Sequence, residues 1–215
     1  MYRMLFLVLV SFILISCGGG SSETSGDNKA SVVVSSGLKI FVTKETHVGD
    51  FYNDPTLEGI TSIDKADQFC NESISKPSDA VYKALLVDGI DRDAISLTNW
   101  VFEPSTDYYR AYDNLKIGKT DSNSILTAFW SDLDNSINDC DYQCGANSDF
   151  GVWTGIEDAG NFSAMNNTCD SWASSNISDS GRFGDLAAKD GFAFSHPNGV
   201  AACNIRMHIY CVEQK

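Results

Sequence analysis

Seven cysteines, three histidines and one dense run of aspartates are the residues here whose types and spacing could do chemistry. Thiolates bind zinc when four ligands fall in close pairs. Only Cys140 and Cys144 lie close together, while His47, His196 and His208 are scattered singly, so no metal site is expected. Asp132, Asp134, Asp139, Asp141 and Asp149 could offer oxygens to Ca²⁺. An EF-hand loop needs Gly at its sixth position and Glu at its twelfth. Counting from Asp132 gives Ile137 and Gln143, which reduces the run to a solvated face unless a nonstandard site forms. Neither Gly-x-Ser-x-Gly nor His-Glu-x-x-His occurs. The expectation is a chain that is not an enzyme and needs no cofactor.

The elements that must position these residues begin with an export segment. Arg3 precedes the apolar run Leu5-Phe6-Leu7-Val8-Leu9-Val10 and Phe12-Ile13-Leu14-Ile15. Such a run is too short to span a bilayer and fits a secretory signal. Its exit, Leu14-Ile15-Ser16-Cys17, resembles the bacterial lipobox. That resemblance implies a signal peptide over 1–16, cleavage before Cys17 and a diacylglyceryl anchor on Cys17. Residues 17–36, rich in Gly, Ser and Thr, read as a flexible tether, with Val32-Val33-Val34 as an open strand start. The expected location is the bacterial envelope, anchored in the outer membrane and facing either outward or inward.

With Cys17 acylated, Cys70, Cys140, Cys144, Cys169, Cys203 and Cys211 remain, an even set in an exported chain and therefore disulfide material. Fifteen pairings are open to six cysteines, although Cys140 and Cys144 sit where a small local ring is plausible. The chain is 43% hydrophobic and 11% aromatic, enough for a core. Its formal charge of −14, or −15 without Arg3, argues against nucleic acid, heparin-like polyanions and anionic lipid as main partners.

From residue 37 to 215 one α+β domain is expected. Leu38 to Thr43 reads as a strand. Thr61-Ser62-Ile63-Asp64 is a capping box opening a helix whose apolar face is Ile63, Ala66, Phe69, Cys70 and Ile74, with Lys76-Pro77 ending it. Tyr82 to Val87 and Gly151 to Gly155 read as strands, Trp100-Val101-Phe102 as another, and the alternating Met207 to Val212 as the last. Residues 103–150 read as a long polar loop anchored by Phe129-Trp130. Within it, Tyr108, Tyr109, Arg110 and Tyr112 form a candidate protein interface, since such residues serve as interface anchors.

Val152-Trp153-Thr154-Gly155, Asn167-Thr168-Cys169-Asp170-Ser171-Trp172, Gly184-Asp185-Leu186, Ala202-Cys203 and Ile209-Tyr210-Cys211-Val212-Glu213 together resemble the C-terminal half of the endostatin domain of collagens XV and XVIII. Ala66-Asp67-Gln68-Phe69-Cys70 and Tyr82-Lys83-Ala84-Leu85-Leu86 resemble its earlier segments. The lipobox, Lys39-Ile40-Phe41-Val42-Thr43, Tyr82 to Gly89 and the ending Tyr210-Cys211-Val212-Glu213-Gln214 are similar to leptospiral endostatin-like lipoproteins. The resemblance implies a C-type-lectin-like fold with one main N-terminal helix, mixed short strands and long loops. It also implies nested disulfides, Cys70 with Cys211 and Cys169 with Cys203, which leaves Cys140 with Cys144.

Members of that lipoprotein family are implicated in binding host extracellular-matrix proteins and the complement regulator factor H. The resemblance thus implies a non-enzymatic binding module on a lipid anchor. The alternative is an envelope lipoprotein that binds carbohydrate or calcium, or is structural, with no host ligand. Lectin calcium motifs are missing: Glu103-Pro104-Ser105 lies in the wrong segment, and His196-Pro197-Asn198-Gly199 lacks a carboxylate. Endostatin's zinc and heparin binding do not carry over either. His47 is alone in the region of the zinc histidines, and Arg92, Arg110, Arg182 and Arg206 are scattered.

Overall fold

The computed structural model describes residues 37–127, 133, 137 and 151–215. Cys17, Cys140, Cys144, Trp130 and the aspartates from Asp132 to Asp149 lie outside them, as does the apolar segment before Cys17. Among the described residues no helix is long and apolar enough to cross a membrane. The domain is α+β and mostly strand.

Among the described residues ten strands form, in chain order: β1 (Leu38–Val42), β2 (Tyr82–Ala84), β3 (Asp107–Arg110), β4 (Lys116–Lys119), β5 (Gly151–Trp153), β6 (Ile156–Asp158), β7 (Ser163–Ala164), β8 (Ser180–Asp185), β9 (Val200–Ala202) and β10 (His208–Glu213). The main sheet runs β4-β3-β1-β10-β5-β8-β9, with β2 also on β10; β6 and β7 form a separate hairpin. The last strand is central. β1 pairs with it antiparallel, Phe41 opposite Cys211, and β5 and β2 share its other edge.

That position explains why β10 buries Ile209 to Val212 in succession rather than every second residue. Successive strand side chains point to opposite faces, and both faces here carry a core. Tyr210 and Val212 join a cluster with Ile40, Leu85, Val87, Val152 and Phe194. Ile209 and Cys211 join another with Phe41, Ala84, Leu86, Trp153 and Trp172.

The helix α1 (Ser62–Glu72) lies with the second cluster. Its capping box forms as the sequence suggests: the Asp64 amide donates to Thr61 Oγ1 and the Thr61 amide to Asp64 Oδ2, each at 3.1 Å. The helix stops at Ser73, whose backbone turns extended, and the Glu45 carboxylate takes the Ser73 hydroxyl and the Ile74 amide. Ile74 is therefore past the helix and exposed, not on its core face. A polar residue far back in sequence ends the helix before Lys76-Pro77.

Three further expectations change. Tyr82 to Val87 is strand only to Ala84, because Leu85 bonds Tyr210 while Val87 swings to Thr154. Val101 and Phe102 are buried in irregular chain rather than in a strand. Part of the supposed polar loop is the β3–β4 hairpin, and β3 adds in parallel to β1.

Two fully buried cystines cross the helix-side core. Cys70 joins Cys211 and Cys169 joins Cys203, with Cα separations of 5.6 Å in both. These are the partners that the endostatin resemblance implies. The 34-residue span nests inside the 141-residue one. Chain-entropy reasoning gives roughly 5 kcal/mol for the longer loop and roughly 4 for the shorter, not additive because they nest. Gly49 passes so close that a Cβ there would lie 2.3 Å from Cys169 Sγ. Cys169 to Trp172 form a left-handed turn with φ between 50 and 60°. Such residues cost about 1–2 kcal/mol each. The cystine at Cys169 and the Trp172 indole N–H on Val87 O at 2.9 Å hold the turn.

Candidate functional site

The β6–β7 hairpin, β8 and the loop leading to β9 enclose a cleft of about 470 Å³. One wall is Glu157 and Asp158 on β6. Its floor includes Arg182 on β8, whose Nη2 donates to Glu157 Oε1. The buried Arg182 Nε–H has no acceptor.

The opposite wall is a short 3₁₀ turn, Gly191–Ala193, capped by Asp190, whose carboxylate accepts the Phe192 amide at 2.9 Å. The turn packs directly on β8 because residue 184 is glycine; a Cβ there would sit 2.0 Å from Ala193 O. The backbone then buries Ala193 and Phe194, and the Thr154 hydroxyl donates to Phe194 O at 2.7 Å. Phe192 is left pointing outward, 48% exposed on the rim.

Ser195 and His196 complete the lining. The Ser195 hydroxyl donates to Glu157 O at 2.9 Å, and His196 Nδ1 accepts the Asn198 amide at 3.2 Å. The His196 ring lies parallel to Phe183 and edge-on to Phe192. The serine proton thus goes to a carbonyl rather than to the imidazole.

The other two histidines bond the protein's own oxygens. His47 is nearly buried and stacks on Phe51 at 4.0 Å, with Nδ1 2.6 Å from Val48 O and Nε2 2.9 Å from Asp54 Oδ2. Both nitrogens lie against oxygen atoms of the protein. The Thr56 hydroxyl is the main influence that brings the Asp54 carboxyl down to about 2, against burial and with help from His47. His208 Nδ1 lies 2.7 Å from Thr43 O. Among the described residues no three His, Cys, Asp or Glu side chains converge as metal ligands.

The tyrosine-rich candidate interface is divided by strand alternation. Tyr108 faces inward and is fully buried; its hydroxyl accepts the Glu103 amide at 2.8 Å, and burial pushes it up to about 12. Arg110 is also buried, with Nε and Nη2 on the two oxygens of Asp113. These two residues belong to the core and do not form an outer contact surface. Tyr109 is half-buried under Lys39, and Tyr112 alone is broadly exposed.

Two features escaped the sequence. The cleft draws on residues 157 to 197, with no local motif; only His196 to Gly199 was singled out, for lacking a carboxylate. Arg92, one of the scattered arginines, is fully buried and forms a two-pronged ion pair with Asp67 of α1, its Nε donating to Asn99 O.

A family model described as a protein of unknown function (DUF1554) matches residues 55–189. The chain belongs to that family. The DUF1554 match takes in α1, the left-handed turn and the cleft residues Glu157, Asp158 and Arg182, and ends just before Asp190. No curated protein matches the chain.

Proposed function

We propose that this DUF1554 chain is an exported lipoprotein, acylated on Cys17, whose domain is C-type-lectin-like and related to endostatin and to the leptospiral endostatin-like proteins. In this reading it is a non-enzymatic binding module displayed on the bacterial envelope, with host matrix proteins or complement regulators as partners.

The observation that carries the reading is the division of labour across the central sheet. One face is tied by two nested cystines and a helix. The other carries loops that open into a cleft whose serine hydroxyl and histidine Nδ1 bond the loop backbone. A rigid platform under variable loops is how binding sites are commonly held. The excess of carboxylates favours partners with basic patches.

The test is binding of the full chain to laminin, fibronectin, plasminogen and factor H. Saturable binding to at least one at physiological salt, weakening as salt rises, is expected. No saturable binding to any of the four contradicts the host-binding role. Protease shaving of intact cells addresses display: the domain should be cleaved together with known surface proteins.

A further inference from the structure

The cleft has a chemical bias that goes beyond its shape. Arg182 and Glu157 neutralise each other on its floor, which leaves Asp158 and Asp190 as the uncompensated charges of the lining. Each accepts on Oδ1 from a single backbone amide, Gly160 for Asp158 and Phe192 for Asp190. Next to Asp190, the Phe192 ring stands half-exposed on the rim. Aromatic faces attract cations, the more so beside a carboxylate.

An anion would meet three carboxylates against one guanidinium that is already paired. A basic residue of a polypeptide brings a cationic head for the carboxylates and an apolar stem for the ring. The volume lies within the range of pockets that enclose such a group. We infer that this cleft seats one Lys or Arg side chain of a protein partner, with Asp158 and Asp190 around its charge and Phe192 against its stem. The inference rests on the binding-module reading and assigns to it a site and a partner chemistry.

The test is an NMR titration of the full ¹⁵N-labelled chain in neutral detergent with three capped amino acids: N-acetyl-arginine methylamide, N-acetyl-lysine methylamide and the uncharged N-acetyl-norleucine methylamide. Saturable shifts of the Gly160, Gly191 and Phe192 amides with the two basic probes, and not with norleucine, are expected. Asp190→Asn and Phe192→Ala should each weaken binding at least fivefold, and Asp121→Asn, which does not line the cleft, should leave it unchanged. Absence of saturation, equal shifts with norleucine, or unaltered binding by both cleft variants would overturn the assignment. Host-protein binding that persists while the basic probes fail leaves the module reading standing and removes the cleft from it. Basic probes that bind while all four host proteins fail support the cleft and contradict the host-binding role.

Discussion

On one face of the central sheet, α1 is held to the strands by a cystine from Cys70 to Cys211, by the Asp67–Arg92 pair and by Asn71, which bonds both the amide and the carbonyl of Tyr82. On the other, no described cystine appears. There Trp100, Phe102, Tyr108, Phe162, Phe194 and Tyr210 pack edge-on and tilted, with centroids 4.9 to 6.1 Å apart. The first face adds two cystines and a buried ion pair to its packing. The second relies more on aromatic surface, which tolerates a change of loop path as long as volume is filled. That difference teaches where function can vary: the cleft hangs from the aromatic side, next to Ala159, Ala193 and Phe194 of that core.

The contrast can be broken most severely by removing the long cystine. Replacing Cys70 and Cys211 together by Ala should lower stability by about 5 kcal/mol, a large part of what a domain possesses; chemical denaturation without reductant measures it. Arg92→Ala comes next. It strands the Asp67 carboxylate, and because Asp67 keeps some contact with water the loss should fall at the low end for a broken buried pair, about 3 kcal/mol.

A smaller effect is expected from acid. Asp54 has its carboxyl at about 2 when folded, against an ordinary value of 3.8. A lowered folded value means stability present above pH 4 and lost as pH falls from 4 towards 2, about 2 kcal/mol in all. Asp54→Asn should remove that portion of the acid dependence and lower stability by a similar amount at neutral pH, read from denaturation midpoints across pH. The smallest effect belongs to the cleft. Phe192→Ala should change stability by no more than about 0.5 kcal/mol, since its ring is half in solvent. A loss of 2 kcal/mol there would show that the rim is part of the core after all.

Much of the tied face was legible in the sequence. The capping box at Thr61 and Asp64, the inward Cys70, and the burial of Trp153 and Trp172 follow from local pattern or from the endostatin likeness, and the structure contains each. The loop face was far less so. Tyr108 and Arg110 looked like surface anchors because a four-residue strand inside a polar stretch gives too short an alternation to recognise. Ile74 looked like a core residue because helical spacing says nothing of Glu45, which ends the helix from 28 residues away. Arg92 and the cleft were hidden for one reason: their partners lie 25 residues away in both ion pairs, so no window along the chain contains them.

Hydrogen exchange of the full chain, free and saturated with factor H, tests the central claim most directly. The account predicts new protection at residues 157–160 and 190–199 on the loop face, with α1 unchanged because it is already held by its bonds. Protection confined to α1 or to the β3–β4 hairpin, or none under saturating partner, would contradict it.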